Sequence, residues 1–107
     1  MSACSVQINF DLACSKEEFV AIAESASPAI RKFAGLLFKL WLLADDGASA
    51  GGFYLFRDRA SADRYVNSPL VRELAGSPAI RQLDVRVTPV HLGLSAQTAA
   101  ARLAEPR

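Results

Sequence analysis

The stretch that decides the fold is Leu36-Leu37-Phe38-Lys39-Leu40-Trp41-Leu42-Leu43, in which Lys39 is the one charged residue. Such a composition favours a β-strand, and side chains along a strand point alternately to opposite faces of the sheet. Both faces of this strand are therefore apolar, whereas strands of a small antiparallel sheet normally keep one polar face. The helices of a 107-residue chain can cover only one of these faces. We expect a second copy of the chain to cover the other.

Three further segments have the pattern of strands. Segments 5–12 and 83–88 alternate apolar with polar side chains, which is the period-two pattern of a half-buried strand. Segment 51–57 follows the decisive stretch across the polar, turn-rich residues 45–50, so we expect these two strands to pair as a hairpin. The chain therefore contains four predicted strands.

The first helix is predicted over residues 16–33. Ser15 and Glu18 form a capping box at its start, and apolar residues then recur on one helical face. Pro28 lies inside this helix and cannot donate a backbone hydrogen bond. We therefore expect either a kink or a restart with Ser27 as the cap.

The second helix is predicted over residues 59–75, interrupted at Ser68-Pro69. The tail, residues 91–107, carries a last short helix at about 96–103 with Ser95 as its cap, and we expect this tail to dock on a partner subunit or to fray. The element order is then βαββαβ, a ferredoxin-like α+β fold with both helices on one face of an antiparallel sheet. We expect residues 1–107 to form a single domain.

Charge and cysteine content limit the function. Twelve basic against eleven acidic residues give a net charge of +1, which predicts neither nucleic acid nor a membrane as a partner. The N-terminus lacks a basic region followed by an apolar one, so we expect a cytoplasmic protein. Cys4 and Cys14 flank the first strand, roughly 30 Å apart if extended, and are not expected to pair. Together with His91 they fit no common zinc spacing, so we expect no metal.

The candidate site is an aromatic and cationic cluster on the central hairpin. Lys39 and Trp41 share one face of the second strand, and Tyr54 and Phe56 share one face of the third. Whether the two sets coincide depends on the hairpin register, which the turn does not settle. If they coincide, an apolar pocket presents an amine, a phenol and an indole, groups that suit a flat, oxygen-bearing aromatic ligand.

Lys39 is the strongest single candidate for a functional residue. An ammonium on a strand covered on both sides needs a partner, and Asp11, Glu24 or a ligand could supply it. Asn9, on the polar side of the first strand, could point into the same pocket. Trp41 and the phenylalanines also fit the ordinary packing of a core or a dimer interface.

The hairpin resembles the YdhR-type mono-oxygenase family. The resemblance lies in two segments, Gly35–Trp41 with its glycine, lysine and tryptophan, and Ala50–Asp58 with the sequence AGGFYLFRD. It implies a homodimeric α+β barrel, similar to antibiotic-biosynthesis mono-oxygenases that oxidise polycyclic phenols without metal or flavin. Lys39, Trp41, Tyr54 and Phe56 match the family pattern, whereas a histidine of the first strand in a relative is replaced by Asn9 here.

The resemblance implies a function for this cluster. We expect a cofactor-independent mono-oxygenase that acts on a small phenolic or quinol-like aromatic substrate. Lys39, Tyr54 and Asn9 are the predicted catalytic residues, of which one bonds the phenolate. The predicted substrate-binding residues are Trp41, Phe38 and Phe56. The alternatives are a non-catalytic binding protein for an apolar small molecule and an isomerase on the same fold.

Overall fold

The computed structural model describes residues 3–98. Its elements are β1 (Cys4–Leu12), α1 (Lys16–Arg31), β2 (Leu36–Leu43), β3 (Ser49–Phe56), α2 (Arg59–Val66), α3 (Pro69–Ala75), β4 (Ile80–Pro89) and α4 (Leu92–Gln97). The strands form one antiparallel sheet in the order β2-β3-β1-β4. This is the predicted ferredoxin-like α+β fold, and the predicted break in the second helix separates α2 from α3.

The core lies between the helices and one face of the sheet, here called the inner face. Val6, Ile8 and Phe10 of β1 are buried on it, while the alternate residues of β1 are more exposed on the opposite, outer face. Helix α2 packs across β1, β3 and β4, and α1 packs against β2. The alternation along β1 therefore fixes which face of the sheet carries the helices.

Helix α1 begins at the predicted capping box, in which the Ser15 hydroxyl accepts from the backbone N–H of Glu18 at 3.0 Å. It ends at Arg31, two residues before the predicted end. The expectation of a restart at Ser27 is wrong, because the helix continues as one element through Pro28. Pro28 lies in the last turn, where its missing donor removes only one helical bond, and its own carbonyl still accepts from the N–H of Lys32 at 3.3 Å.

The pairing of β2 with β3 settles the register of the hairpin. Lys39 lies opposite Tyr54, and Trp41 lies opposite Gly52. Because Tyr54 is buried on the inner face, Lys39 and Trp41 share that face with it. The two halves of the predicted cluster therefore coincide.

The outer face of β2 and β3 is apolar. It carries five large side chains: Phe38, Leu40, Leu42, Phe53 and Leu55. Leu40 is 54% exposed and Leu42 is 41% exposed in the single chain. The apolar second face expected of β2 is thus present, and it is open to solvent here.

The last helix differs from the prediction. Helix α4 begins at Leu92, not near residue 96, and its cap is His91, whose Nδ1 accepts from the backbone N–H of Leu94 at 3.0 Å. Ser95 lies inside this helix and does not cap it. The imidazole acceptor of His91 takes the place of a serine or aspartate cap. The remainder of the predicted helix, residues 99–103, lies outside the described residues.

Candidate functional site

A cavity of about 310 Å³ lies between the inner face of the sheet and helices α1 and α3. Most of its wall is apolar, and its main apolar contributors are Phe10, Phe19, Ile22, Trp41, Leu70 and Leu74. Helix α1 covers it with Ala23 and Ala26, whose small side chains leave space above β2 and β3. Few polar groups reach the wall, and they come from Lys39, Tyr54, Tyr65, Glu73 and Ser77. A mostly apolar cavity with a few polar groups is typical of small-molecule sites.

The amine of Lys39 lies between two aromatic rings. Its Nζ is 3.1 Å from the ring centroid of Trp41 and 4.6 Å from that of Tyr54. Gly52 makes room for it, because a Cβ at that position would come within 2.7 Å of Lys39 Cε. Burial lowers the pKa of Lys39 to about 7. A large fraction of the Lys39 side chains is therefore neutral at physiological pH.

Neither protein carboxylate considered for Lys39 is its partner. Asp11 borders a different depression at the end of the sheet, and Glu24 borders a third one beside α1. Within residues 3–98, no hydrogen bond or ion pair involves the Lys39 amine. The expectation that Asp11 or Glu24 pairs with Lys39 is wrong, because both carboxylates lie away from the cavity. The partners that the structure gives the amine are the rings of Trp41 and Tyr54.

Two phenols line the same cavity as the amine. The hydroxyl groups of Tyr54 and Tyr65 are hydrogen-bonded to each other at 3.1 Å, and each tyrosine is only 2% exposed. Burial raises the pKa of both residues, so both remain protonated at neutral pH. The pair holds two O–H protons and uses one in its mutual bond. The second can be donated to a ligand oxygen.

Two of the predicted site residues lie away from this cavity wall. Phe56 is fully buried behind Tyr54, with ring centroids 6.2 Å apart and nearly parallel planes. Phe38 lies on the outer face, where its ring centroid is 6.4 Å from that of Phe53. Phe56 supports the ring of Tyr54, and Phe38 belongs to the apolar outer surface.

Asn9 also lies apart from the cavity. It is on the outer face opposite Gly51, and it borders an open depression of about 600 Å³ together with Asp11, Gln82 and Asp84. Trp41 borders both this depression and the cavity. The structure thus brings Lys39, Trp41 and Tyr54 together and places Asn9 elsewhere, because alternate residues of β1 face opposite sides of the sheet.

Sequence reasoning missed Tyr65 and Glu73. Tyr65 is on the apolar stripe of α2, which indicates burial, but its position over β3 depends on how α2 crosses the sheet. Glu73 is an exposed residue of α3 that reaches the rim of the cavity. No local pattern marks either residue as part of a site.

Among residues 3–98, no group of three or more His, Cys, Asp or Glu side chains could hold a metal ion. Cys4 and Cys14 are both free thiols. In the same part of the chain, no helix is long and apolar enough to cross a membrane.

Fold and cavity together define a class of protein: a small ferredoxin-like α+β domain with a ligand-sized cavity between sheet and helices. Solved structures with this fold include SnoaB of Streptomyces nogalater, a cofactor-independent oxygenase. It is 12% identical, with a TM-score of 0.70 over 85% of this chain and 95% of that one. A protein of unknown function from Nitrosomonas europaea is 14% identical, with a TM-score of 0.70 over 84% of this chain and 90% of its own.

The mono-oxygenase ActVA-Orf6 of Streptomyces coelicolor, solved with the ligand nanaomycin D, is 13% identical, with a TM-score of 0.65 over 84% of this chain and 88% of that one. None of the curated protein sequences matches the chain. The family model described as "Putative mono-oxygenase ydhR" matches residues 6–101. The chain therefore belongs to the YdhR family, as the hairpin motif predicted, and it has the fold of the antibiotic-biosynthesis mono-oxygenases.

Proposed function

We propose that the protein is a cofactor-independent mono-oxygenase that oxidises a phenolic or quinol-like aromatic substrate in the 310 Å³ cavity. The observation that carries this proposal is the Lys39 amine, held between the rings of Trp41 and Tyr54 in a mostly apolar cavity. Membership of the YdhR family and the fold shared with SnoaB support it.

Lys39 acts as the proton acceptor in this proposal. With a pKa of about 7, its neutral amine takes the proton of a bound phenol when the resulting phenolate is stabilised by the ammonium and by the O–H of the tyrosine pair, since an ordinary phenol with a pKa of about 10 is the weaker acid. The products are a phenolate and an ammonium, which attract each other strongly in an apolar cavity. The remaining O–H of the tyrosine pair donates a hydrogen bond to the same oxygen, and Trp41 packs against the ring. The phenolate is the electron-rich form that reacts with oxygen.

The substrate supplies all the electrons for the reaction. In an anthrone-like substrate, a ring CH₂ becomes a carbonyl, which breaks two C–H bonds and releases four electrons. One atom of O₂ becomes the carbonyl oxygen, and the other leaves as water with the two hydrogens. The protein's residues bind the substrate, accept its phenolic proton and keep the anion desolvated.

The same proposal includes a homodimer in which the apolar outer face of β2 and β3 is buried. An exposed surface with Phe38, Leu40 and Leu42 side by side is typical of an interaction site. A two-fold axis through this face would bring the same apolar side chains of both copies together. The outer residues of β1 and β4, such as Asn9, Asp84 and Arg86, are polar and would form the wetter part of such an interface.

Oxygen consumption by the purified protein tests the proposed activity. With anthrone-like and hydroquinone substrates, we expect O₂ uptake in step with product formation, and one atom of ¹⁸O₂ in the product of the anthrone-like compound. Added flavin or metal should leave the rate unchanged. Tight binding without uptake would instead indicate a binding protein, and conversion under argon would indicate an isomerase. Either result would overturn the oxygenase proposal.

A further inference from the structure

We propose that Lys39 also acts as a nucleophile, forming an imine with aromatic aldehydes that enter the cavity. This reaction needs no oxygen, so it is independent of the proposed oxidation. The ligand class is a flat one- or two-ring aldehyde, which suits the aromatic wall and the 310 Å³ volume.

The three lysines of the chain differ sharply in their surroundings. Lys39 is the one lysine on the cavity wall. Lys16 donates to the backbone carbonyl of Asp45 at 2.9 Å, and Lys32 is exposed at the end of α1. In the described part of the chain, no carboxylate or carbonyl bonds the Lys39 amine. Its nitrogen therefore keeps a lone pair available for attack when it is neutral.

The other groups around the cavity favour a reactive amine. The titratable side chains that face it are Tyr54 from β3, Tyr65 from α2 and Glu73 from α3, whereas α1 and β1 contribute apolar residues. Both phenols are neutral, so Glu73 at the rim is the one anionic side chain that residues 3–98 contribute to the wall. Desolvation holds the Lys39 pKa near 7. A desolvated lysine in an apolar pocket is an established way to activate an amine nucleophile.

The reaction balances without an oxidant or a reductant. The Lys39 nitrogen attacks the carbonyl carbon, so that a C–N bond forms and the π bond of the carbonyl breaks, and one N–H proton of the amine passes to the carbonyl oxygen to give a carbinolamine. The C–O bond then breaks, the hydroxyl group leaves as water with the second N–H proton, and a C=N bond remains. The Tyr54–Tyr65 pair lines the same cavity, and its free O–H would donate a hydrogen bond to the carbonyl oxygen during the attack.

Reductive trapping tests this proposal. The protein is incubated under argon at pH 7 with 1-naphthaldehyde and sodium cyanoborohydride, and each lysine-containing peptide is quantified by mass spectrometry. We expect Lys39 to be labelled at least about 10-fold faster than Lys16 or Lys32, because neither of those two lysines lies on the wall of the cavity that binds the aldehyde. In urea the three lysines should react at similar rates.

Three variants separate a reaction that is specific to Lys39 from general labelling of lysines. Lys39→Arg should lose the fast label, whereas Lys32→Arg should keep it. Tyr54→Phe should slow labelling of Lys39 but leave Lys16 unchanged. Equal labelling of all three lysines in the folded protein, or slower labelling of Lys39 than of Lys16, would overturn the proposal. Because the assay excludes oxygen, its failure is distinguishable from failure of the oxygenase test.

Discussion

Replacing Lys39 with methionine is expected to lower the rate of substrate oxidation at least about 100-fold, the lower end of what a positioned general base contributes. Methionine has a similar length and no charge, so it can occupy the space beside Trp41 without demanding hydration. The loss should appear mainly in kcat, because the aromatic wall that binds the ring is unchanged. Oxygen uptake under saturating substrate measures it.

The same variant should also change how stability depends on pH. In the wild type the pKa of Lys39 is about 7 in the folded protein and near 10.5 when unfolded. Between these values the unfolded chain binds more protons, so the free energy of unfolding rises with pH, by up to about 1.4 kcal/mol per pH unit. The stability gained at high pH is lost again as the pH falls toward 7. Lys39→Met should lack this pH dependence, and it should be about 1–3 kcal/mol more stable than the wild type at pH 7.

Urea unfolding at pH 7 and pH 10 measures this difference. Lys32→Met is the matched control, because Lys32 is exposed and its replacement should change stability by no more than about 0.5 kcal/mol at either pH. A Lys39→Met protein that is destabilised at pH 7, with the same pH dependence as the wild type, would contradict a desolvated amine.

Leu40→Asp is expected to dissociate the proposed dimer. Leu40 is 54% exposed in the single chain, so a carboxylate there can remain hydrated in the monomer. In the proposed dimer two such carboxylates would be buried close to the two-fold axis, which costs several kcal/mol. We expect the dissociation constant to rise at least about 100-fold, since each 1.4 kcal/mol is a factor of ten. Sedimentation equilibrium measures the mass of the species.

Val20→Asp is the matched control for this change. Val20 is 43% exposed on α1, on the helical side of the sheet. Its replacement should leave the assembly unchanged. The milder Leu40→Ser, combined with circular dichroism, separates loss of association from loss of fold. A wild-type protein that sediments as a monomer, or a Leu40→Asp variant that remains dimeric, would rule out an interface on this face.

Most of the fold was predictable because its signals are local. Alternation marks β1 and β4, the capping box at Ser15 fixes the start of α1, and Ser68-Pro69 divides α2 from α3. Errors arose where a local signal competes with packing. Pro28 suggested an interruption, yet α1 continues through it. Ser95 was the predicted cap of the last helix, but the helix begins earlier, at Leu92, and His91 caps it.

The site was less predictable because it depends on register and on long-range contacts. Lys39, Trp41 and Tyr54 could be selected from the hairpin, but their meeting on one face required the pairing of Lys39 with Tyr54. Phe56 shares that face, yet it lies deeper, under Tyr65. How α2 and α3 lie over the sheet decides the positions of Tyr65 and Glu73, and the sequence does not encode that placement in any short pattern.

Lys39 presents a desolvated, partly neutral amine to the aromatic cavity. An NMR titration of the protein with ¹⁵N-labelled lysine tests this, with the three side-chain signals assigned by single Lys→Arg substitutions. We expect the Lys39 signal to titrate near pH 7, well below the ordinary lysine value of about 10.4. A Lys39 signal that titrates together with the other two would contradict this expectation.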